Sequence, residues 1–249
     1  MSGKKYIYLF EEGNSDMRMI LGGKGANLAE MTRIDLPVPP GFTITAEACN
    51  EYAAAGEQLP PGLLAGAAGA MQTLEEKTGK IFGSRENPLL VSVRSGAAVS
   101  MPGMMDTILN LGLNDQTVQG LAALTGDMRF AYDCYRRFIQ MFSNVVLDVE
   151  HHLFDNIVEK YKRKLSLIFD YEIPAAELQN IINDYKNLVR MEKGFDFPQD
   201  VNEQLARAIE AVFQSWNNQR AIVYRRLNKI PDSLGTAVNI QSMAFGNMG

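Results

Sequence analysis

Two segments combine residue types that suit a bound anion. The first is Gly22-Gly23-Lys24-Gly25-Ala26-Asn27-Leu28-Ala29-Glu30. Glycines let backbone N–H groups approach a ligand closely, and a helix starting there adds favourable partial charge. Lys24 supplies a full positive charge. No Gly-Lys-Ser/Thr closes the segment, so it is not a Walker A loop. Taken alone, it also reads as a glycine-rich turn with an exposed lysine. The second segment runs from Leu90 to Thr107. An apolar run delivers Arg94 at its end, followed by small residues, two glycines (Gly96 and Gly103) and the hydroxyls of Ser95, Ser100 and Thr107. Arginine's planar fork of donors suits phosphate oxygens. A loop of small residues can close over a phosphate and exclude water. A hairpin with an exposed arginine is the plain alternative, but Met101, Met104 and Met105 in that loop need something to pack on.

Other candidates carry less. Tyr135-Arg136-Arg137-Phe138 places adjacent arginines on a predicted helix, where one, Arg137 in the site reading, can face a ligand. A surface arginine beside a core stripe has the same sequence. Lys160-Tyr161-Lys162-Arg163-Lys164 reads as a solvated helix face. His151 and His152 read as helix-surface residues, and Arg225-Arg226 as structural ion-pair partners.

The elements that must hold these residues follow from pattern. Tyr6–Phe10 reads as a strand, and 14–32 as helical pieces broken at Gly22–Gly25. A proline-rich connector over 37–41 leads to a short strand at 42–44 and a helix capped by Thr45. Leu63, Leu64, Ala67, Ala68, Met71 and Leu74 recur at helical spacing. Leu89–Val93 reads as a buried strand running into the Arg94-Ser95-Gly96 loop, and strand ends are where α/β folds place ligands. From Asp115 to about Lys229 helix signals dominate. Phe130, Cys134, Phe138, Met141 and Phe142 form one apolar stripe, and Ala206, Ile209, Val212, Phe213 and Trp216 another. Pro174 opens a helix that Gly194 ends. Gly235–Phe245 alternates as a strand.

The 249 residues suffice for one large domain or two small ones. Lysines and arginines number 24 against 29 aspartates and glutamates, a net charge of −5, which argues against a nucleic-acid coat. A local anion site remains possible, because distant surface acids are screened beyond about 8 Å at physiological salt. No apolar run approaches the roughly 20 residues of a membrane span, and the start is too short for a signal peptide. Cys49 and Cys134 lie far apart without metal-ligand spacing. Reduced thiols in that pattern suit the cytoplasm, and two adjacent histidines offer no metal site.

Several segments together resemble the start of the pyruvate, phosphate dikinase family. They are Phe10-Glu11-Glu12-Gly13-Asn14, Leu21 to Met31, Pro39-Pro40-Gly41-Phe42, Ser92-Val93-Arg94-Ser95-Gly96 through Asp115, and Tyr135 to Met141. The likeness continues at Ser215-Trp216, Arg220 to Arg226 and Gly235 to Gly249, and is looser between about Glu150 and Asp200. Phosphoenolpyruvate synthase shares the Gly-Gly-Lys and Ser-Val-Arg-Ser elements, while Met101-Pro102-Gly103-Met104-Met105-Asp106-Thr107 favours the dikinase.

The resemblance implies an α+β fold: a partial ATP-grasp nucleotide-binding domain with a mainly helical insert. It implies a first ATP-grasp subdomain over 1–114, a helical insert over 115–197, and a return to the α/β part over 198–249. In that family ATP gives its β,γ-diphosphate to a histidine on a separate carrier domain, phosphate takes the terminal phosphoryl group, and the phosphohistidine phosphorylates pyruvate. Lys24 and Arg94 match the family's ATP-phosphate cations and its catalytic positions. Ser95 to Thr107 matches the loop over the transferring phosphates, giving Ser95, Gly96, Ser100, Met101, Gly103 and Thr107 as phosphate-site residues beside Arg137. Mg²⁺ ligands are expected downstream of Gly249, so none is assigned here. The expected partners are ATP, phosphate and the histidine carrier domain, with a full-length homodimer and neither nucleic acid nor membrane. The chain reads as a fragment inactive on its own. Two other readings stay open: a stand-alone, non-catalytic nucleotide-binding or interaction module, and the ATP half-site of a phosphoenolpyruvate synthase-like phosphotransferase with another acceptor.

Overall fold

The structure, a computed structural model, describes residues 4–246. In chain order the elements are β1 (Ile7–Leu9), α1 (Arg18–Arg33), β2 (Gly41–Ile44), α2 (Ala46–Ala54), α3 (Leu63–Thr78), β3 (Ile81–Phe82), β4 (Pro88–Leu89), β5 (Val91–Gly96) and β6 (Thr107–Leu111). Then come α4 (Thr117–Thr125), α5 (Met128–Val145), α6 (His151–Leu165), α7 (Ala175–Lys193), α8 (Val201–Ser215), α9 (Gln219–Leu227) and β7 (Ala237–Ser242). The fold is α+β, mostly helical with a small antiparallel sheet. The chain forms two units, each from discontinuous segments. Of the described residues, the first comprises 4–79 with Val91–Thr107 and Ala206–Ala244; the second comprises Lys80–Leu90, Ile108–Leu205 and 245–246.

In the first unit the strands run β1-β2-β7-β5, every neighbouring pair antiparallel. Register fixes two faces, because directly opposed residues point the same way. Phe42, Ile240 and Val93 are opposed across three strands, with Ile44 beside Val238, and all five are fully buried. The other face carries Thr43, Asn239 and Arg94 in one row. Helix α1 lies on this polar face. A Cβ on Gly25 would sit 2.8 Å from both Asn239 Oδ1 and Thr43 Oγ1, so only glycine lets the helix approach so near. The Thr43 hydroxyl donates to Asn239 Oδ1 at 2.9 Å, satisfying two buried polar atoms. Thr45 caps α2, its Oγ1 accepting from the Ala48 N–H at 3.4 Å.

The second unit is built on α5, which packs against α4, α6 and α7. Asp127 caps α5, accepting from the Phe130 N–H at 2.9 Å. Phe138, Phe142 and Phe197 form a cluster with ring centroids 5.5–5.8 Å apart. Fully buried Tyr185 sets its ring edge-on to Phe154 at 4.8 Å. Helix α7 starts after Pro174 and ends at Gly194, whose φ of 78° supplies the left-handed stop. The Gln204 amide, fully buried, accepts from the Gly112 N–H and donates to the Leu113 and Pro198 carbonyls.

Candidate functional site

The glycine segment is a kink inside α1. Gly22 has φ 69° and ψ 170°, backbone that is essentially glycine's alone. A Cβ there would lie 1.5 Å from the Gly96 carbonyl oxygen, so the kink rests directly on the end of β5. The Gly23 N–H donates to the Ala97 carbonyl at 2.9 Å, fixing the start of the second helical piece against the same strand end. Gly96 is constrained in turn: a Cβ there would meet Asn239 Nδ2 at 2.4 Å. That Nδ2 is buried and has no hydrogen-bond partner among the described residues.

A cavity of about 580 Å³ opens beside the kink, entirely within the first unit. Arg18, Gly23, Lys24, Asn27, Leu28 and Met31 line it from α1. Ser95, Gly96, Ala97, Val99, Ser100, Met101, Pro102, Gly103, Met105 and Thr107 line it from β5 and the segment that follows. Two cations and several hydroxyls face it, with no carboxylate in the lining. Lys24 Nζ donates to the Ser95 carbonyl at 3.2 Å. Withdrawal from water lowers its pKa, and the neighbouring Arg94 guanidinium lowers it further. Neither Lys24 nor Arg94 has a carboxylate partner among the described residues. Like charges gathered without acids favour an anion. One unit-charge pair at 4 Å is worth about 4 kcal/mol at an effective dielectric of 20, enough to outweigh screened surface acids.

The loop that walls the cavity is held at several points. The Met104 N–H donates to the Met101 carbonyl at 3.2 Å, closing a turn over Pro102 and Gly103. Proline followed by glycine with φ 72° is the signature of a type II turn. Met101 is buried, which answers the packing need of a methionine-rich loop. Asp106 accepts from Arg220 Nη2 and from Asn218 Nδ2, while Arg220 Nε donates to the Met104 carbonyl at 3.1 Å. These bonds tie the loop's far end to the start of α9.

The cavity thus brings together Lys24, Ser95, Gly96, Ser100, Met101, Gly103 and Thr107 from the sequence-derived set. Arg94 is not in the lining. It lies on the α1 face of β5, opposite Asn239, and reaches Lys24 electrostatically. Arg137 belongs to the second unit, where its Nε donates to Asp133 at 2.9 Å and it lines a polar hollow with Arg136, Gln140 and His151. Its predecessor Arg136 is the buried one, paired with Asp133 at 2.8 Å and Asp170 at 3.4 Å. Sequence reasoning passed over Arg18. The usable signal was its place one helical turn before the kink, i to i+4 from Gly22. His151 and His152 are exposed and paired with Asp155 and Glu150. Among the described residues no group of three or more His, Cys, Asp or Glu is placed to hold a metal ion, and no helix is long and apolar enough to cross a membrane.

Comparison with known proteins gives this cleft a context. Residues 18–63 and 55–249 match the family model described as pyruvate phosphate dikinase, AMP/ATP-binding domain. The chain is 53% identical over 246 residues to a pyruvate, phosphate dikinase of Clostridium symbiosum, covering 98% of this chain and 28% of that protein. It is 54% identical over 238 residues to pyruvate, phosphate dikinase 2 of Zea mays, covering 96% of this chain and 27% of that protein. With the Rhizobium meliloti pyruvate, phosphate dikinase it shares 51% identity over 249 residues, or 98% of this chain and 28% of the relative. The chain spans about a quarter of the length of these relatives. With the model matching nearly every residue, the chain belongs to the pyruvate phosphate dikinase AMP/ATP-binding domain family.

Proposed function

We propose that the cleft is the phosphate-gripping half of an ATP site with ATP-grasp character. It would serve a dikinase that interconverts ATP, phosphate and pyruvate with AMP, diphosphate and phosphoenolpyruvate. The observation that carries this reading is the lining itself: a glycine-kinked helix start, two cations, hydroxyls and no carboxylate. Phosphoryl transfer asks for positioning and charge neutralisation more than covalent chemistry. In this reading Lys24 and the flanking Arg94 neutralise the phosphates. Ser95, Gly96, Ser100, Met101, Gly103 and Thr107 form the wall that packs over them.

The donor set does not fit Mg²⁺. That ion takes oxygen ligands and is normally held by one or two carboxylates besides phosphates, and no carboxylate lines the cavity. The phosphoryl acceptor, a histidine carrier domain in our reading, is a partner rather than a part of this cleft. We place the protein in the cytoplasm on the strength of its two free, buried thiols.

Titration of the chain with ATP tests the binding role, with Lys24→Ala expected to weaken affinity at least about tenfold, the value of one charge-assisted contact. In a full-length enzyme bearing this sequence, Lys24→Ala or Arg94→Ala should impair the ATP/phosphate half-reaction. The phosphoenolpyruvate/pyruvate half-reaction should be spared. Equal loss in both half-reactions would overturn the assignment.

A further inference from the structure

Arg18 is a cleft cation that lies outside the glycine motif. It stands one helical turn before the kink at Gly22 and reaches across it. Its Nε donates to the Ala98 carbonyl at 2.7 Å. It lines the same cavity as Lys24, and it has no carboxylate partner among the described residues. A guanidinium carries five N–H donors in a rigid fork. Ala98 engages one of them.

The position of Ala98 gives this bond its consequence. Ala97 and Ala98 are buried, whereas Val99, Ser100, Pro102 and Gly103 are exposed. At the other end, Arg220 holds the Met104 carbonyl and Asp106. The loop therefore has one arginine at each root, and the stretch between them, Val99 to Gly103, is exposed except at buried Met101. Of the two arginines, Arg18 alone lines the cavity.

Resting on the reading of this cleft as an ATP-phosphate site, we propose that Arg18 is a further phosphate ligand that also positions the 99–103 loop. Its Nε keeps the Ala98 carbonyl while its Nη atoms take an oxygen of an oligophosphate. Anion occupancy and loop position are then coupled through one planar group. A lysine cannot serve both acceptors in that fixed geometry, because its donors radiate from a single nitrogen.

The test titrates inorganic tripolyphosphate into the whole chain and follows hydrogen exchange of the 98–103 amides, unliganded and at saturation. Wild type should bind and show slowed exchange in the loop. Arg18→Ala should weaken binding about tenfold, one charge-assisted contact, and abolish the ligand-induced slowing even at saturation. Arg18→Lys should recover part of the affinity and none of the slowing. Lys24→Ala should weaken binding yet keep the slowing at saturation. If Lys24→Ala loses affinity while both Arg18 variants bind and protect the loop like wild type, the proposal fails and the phosphate-site reading stands. If wild type does not bind, or no variant alters binding, both fail together. Should Arg18→Ala not fold, ligand-induced protection retained in Arg18→Lys is enough to overturn the coupling.

Discussion

Replacing Gly22 by alanine should be among the most damaging single-methyl changes available to this chain. Two costs add. At φ 69° and ψ 170° an alanine backbone is strained by about 1–3 kcal/mol. The added Cβ would also stand 1.5 Å from the Gly96 carbonyl oxygen, where contacts under 3.0 Å are essentially never seen. The β5 end must then retreat by at least the difference, and forced repacking of that kind costs about 1–3 kcal/mol. We take about 4 kcal/mol in total, a large part of the 5–15 kcal/mol typical of a folded protein. With a urea slope of about 2 kcal/mol per molar, the unfolding midpoint should drop by about 2 M. The matched control is Gly69→Ala in α3, an exposed helical position whose Cβ meets nothing within 4 Å. There the same methyl should stabilise by about 0.5–1 kcal/mol through helix propensity. Urea unfolding of both variants checks the pair. A Gly22→Ala midpoint within about 0.5 M of wild type would falsify the claim that the kink is locked on the strand end.

Polyphosphate binding should be accompanied by proton uptake in the pH range just below 10.5, the ordinary lysine value. The folded Lys24 pKa is lowered, so the unfolded chain binds more protons there and stability rises with pH through that window. A bound anion restores the charged form. Calorimetry in two buffers of different ionisation enthalpy should detect the uptake, and Lys24→Met should remove it. Both thiols should resist alkylation in the folded chain at about pH 8, where a thiol of ordinary pKa reacts readily. Burial pushes Cys49 up to about 11 and, with help from Asp133, Cys134 up to about 12. Mass spectrometry should show slow labelling that becomes fast on unfolding. Arg225, fully buried, stacks 4.2 Å over the Trp216 ring and donates to the Trp216 carbonyl and to Asp232. Arg225→Ala should cost about 3 kcal/mol through packing and an orphaned carbonyl. Asp232→Asn should cost less than that, because the exposed amide oxygen can still accept the Arg225 Nε–H. Equal losses in thermal unfolding would contradict this split.

What the sequence made legible was local. Thr45, Pro174 and Gly194 act where their chemistry is short-range, at caps and stops. The break at Gly22 was readable for the same reason. The apolar run 89–93 has the pattern of one strand, but Leu89 pairs with Phe82 in the second unit while Val91 begins β5. Periodicity cannot divide one apolar run between two sheets. Gly235–Phe245 was readable as a strand, yet its place between β2 and β5 was not. A central position is decided by pairings nearly 200 residues away, such as Thr43 with Asn239, and these leave no trace in local pattern. The adjacent Arg136 and Arg137 show the same limit. One is buried with two acids and the other exposed with one, and helical phase with partner placement decides between them.

The cleft's charge balance follows from packing rather than from composition. A chain of net charge −5 has no surplus of cations to spend on an anion site. Small residues at one sheet face create the site instead. Gly25 lets α1 settle on Thr43 and Asn239, Gly22 turns the helix against Gly96, and Gly96 leaves room for the Asn239 amide. Each contact has a glycine on one side, so the helix start approaches β5 closely enough to set Lys24 beside Arg94 with no acid between them. Burial lowers the Lys24 pKa, and that proximity to Arg94 lowers it further. Among the described residues neither cation has a carboxylate to neutralise it, and the nearby buried Asn239 Nδ2 lacks an acceptor. In the proposed phosphate site, a polyphosphate held by Lys24 would offset that repulsion. Affinity and stability are therefore opposed here. Variants that remove Lys24 or Arg94 should lose ligand affinity while gaining, or at least keeping, stability of the unliganded fold, an outcome opposite in sign to that of Gly22→Ala.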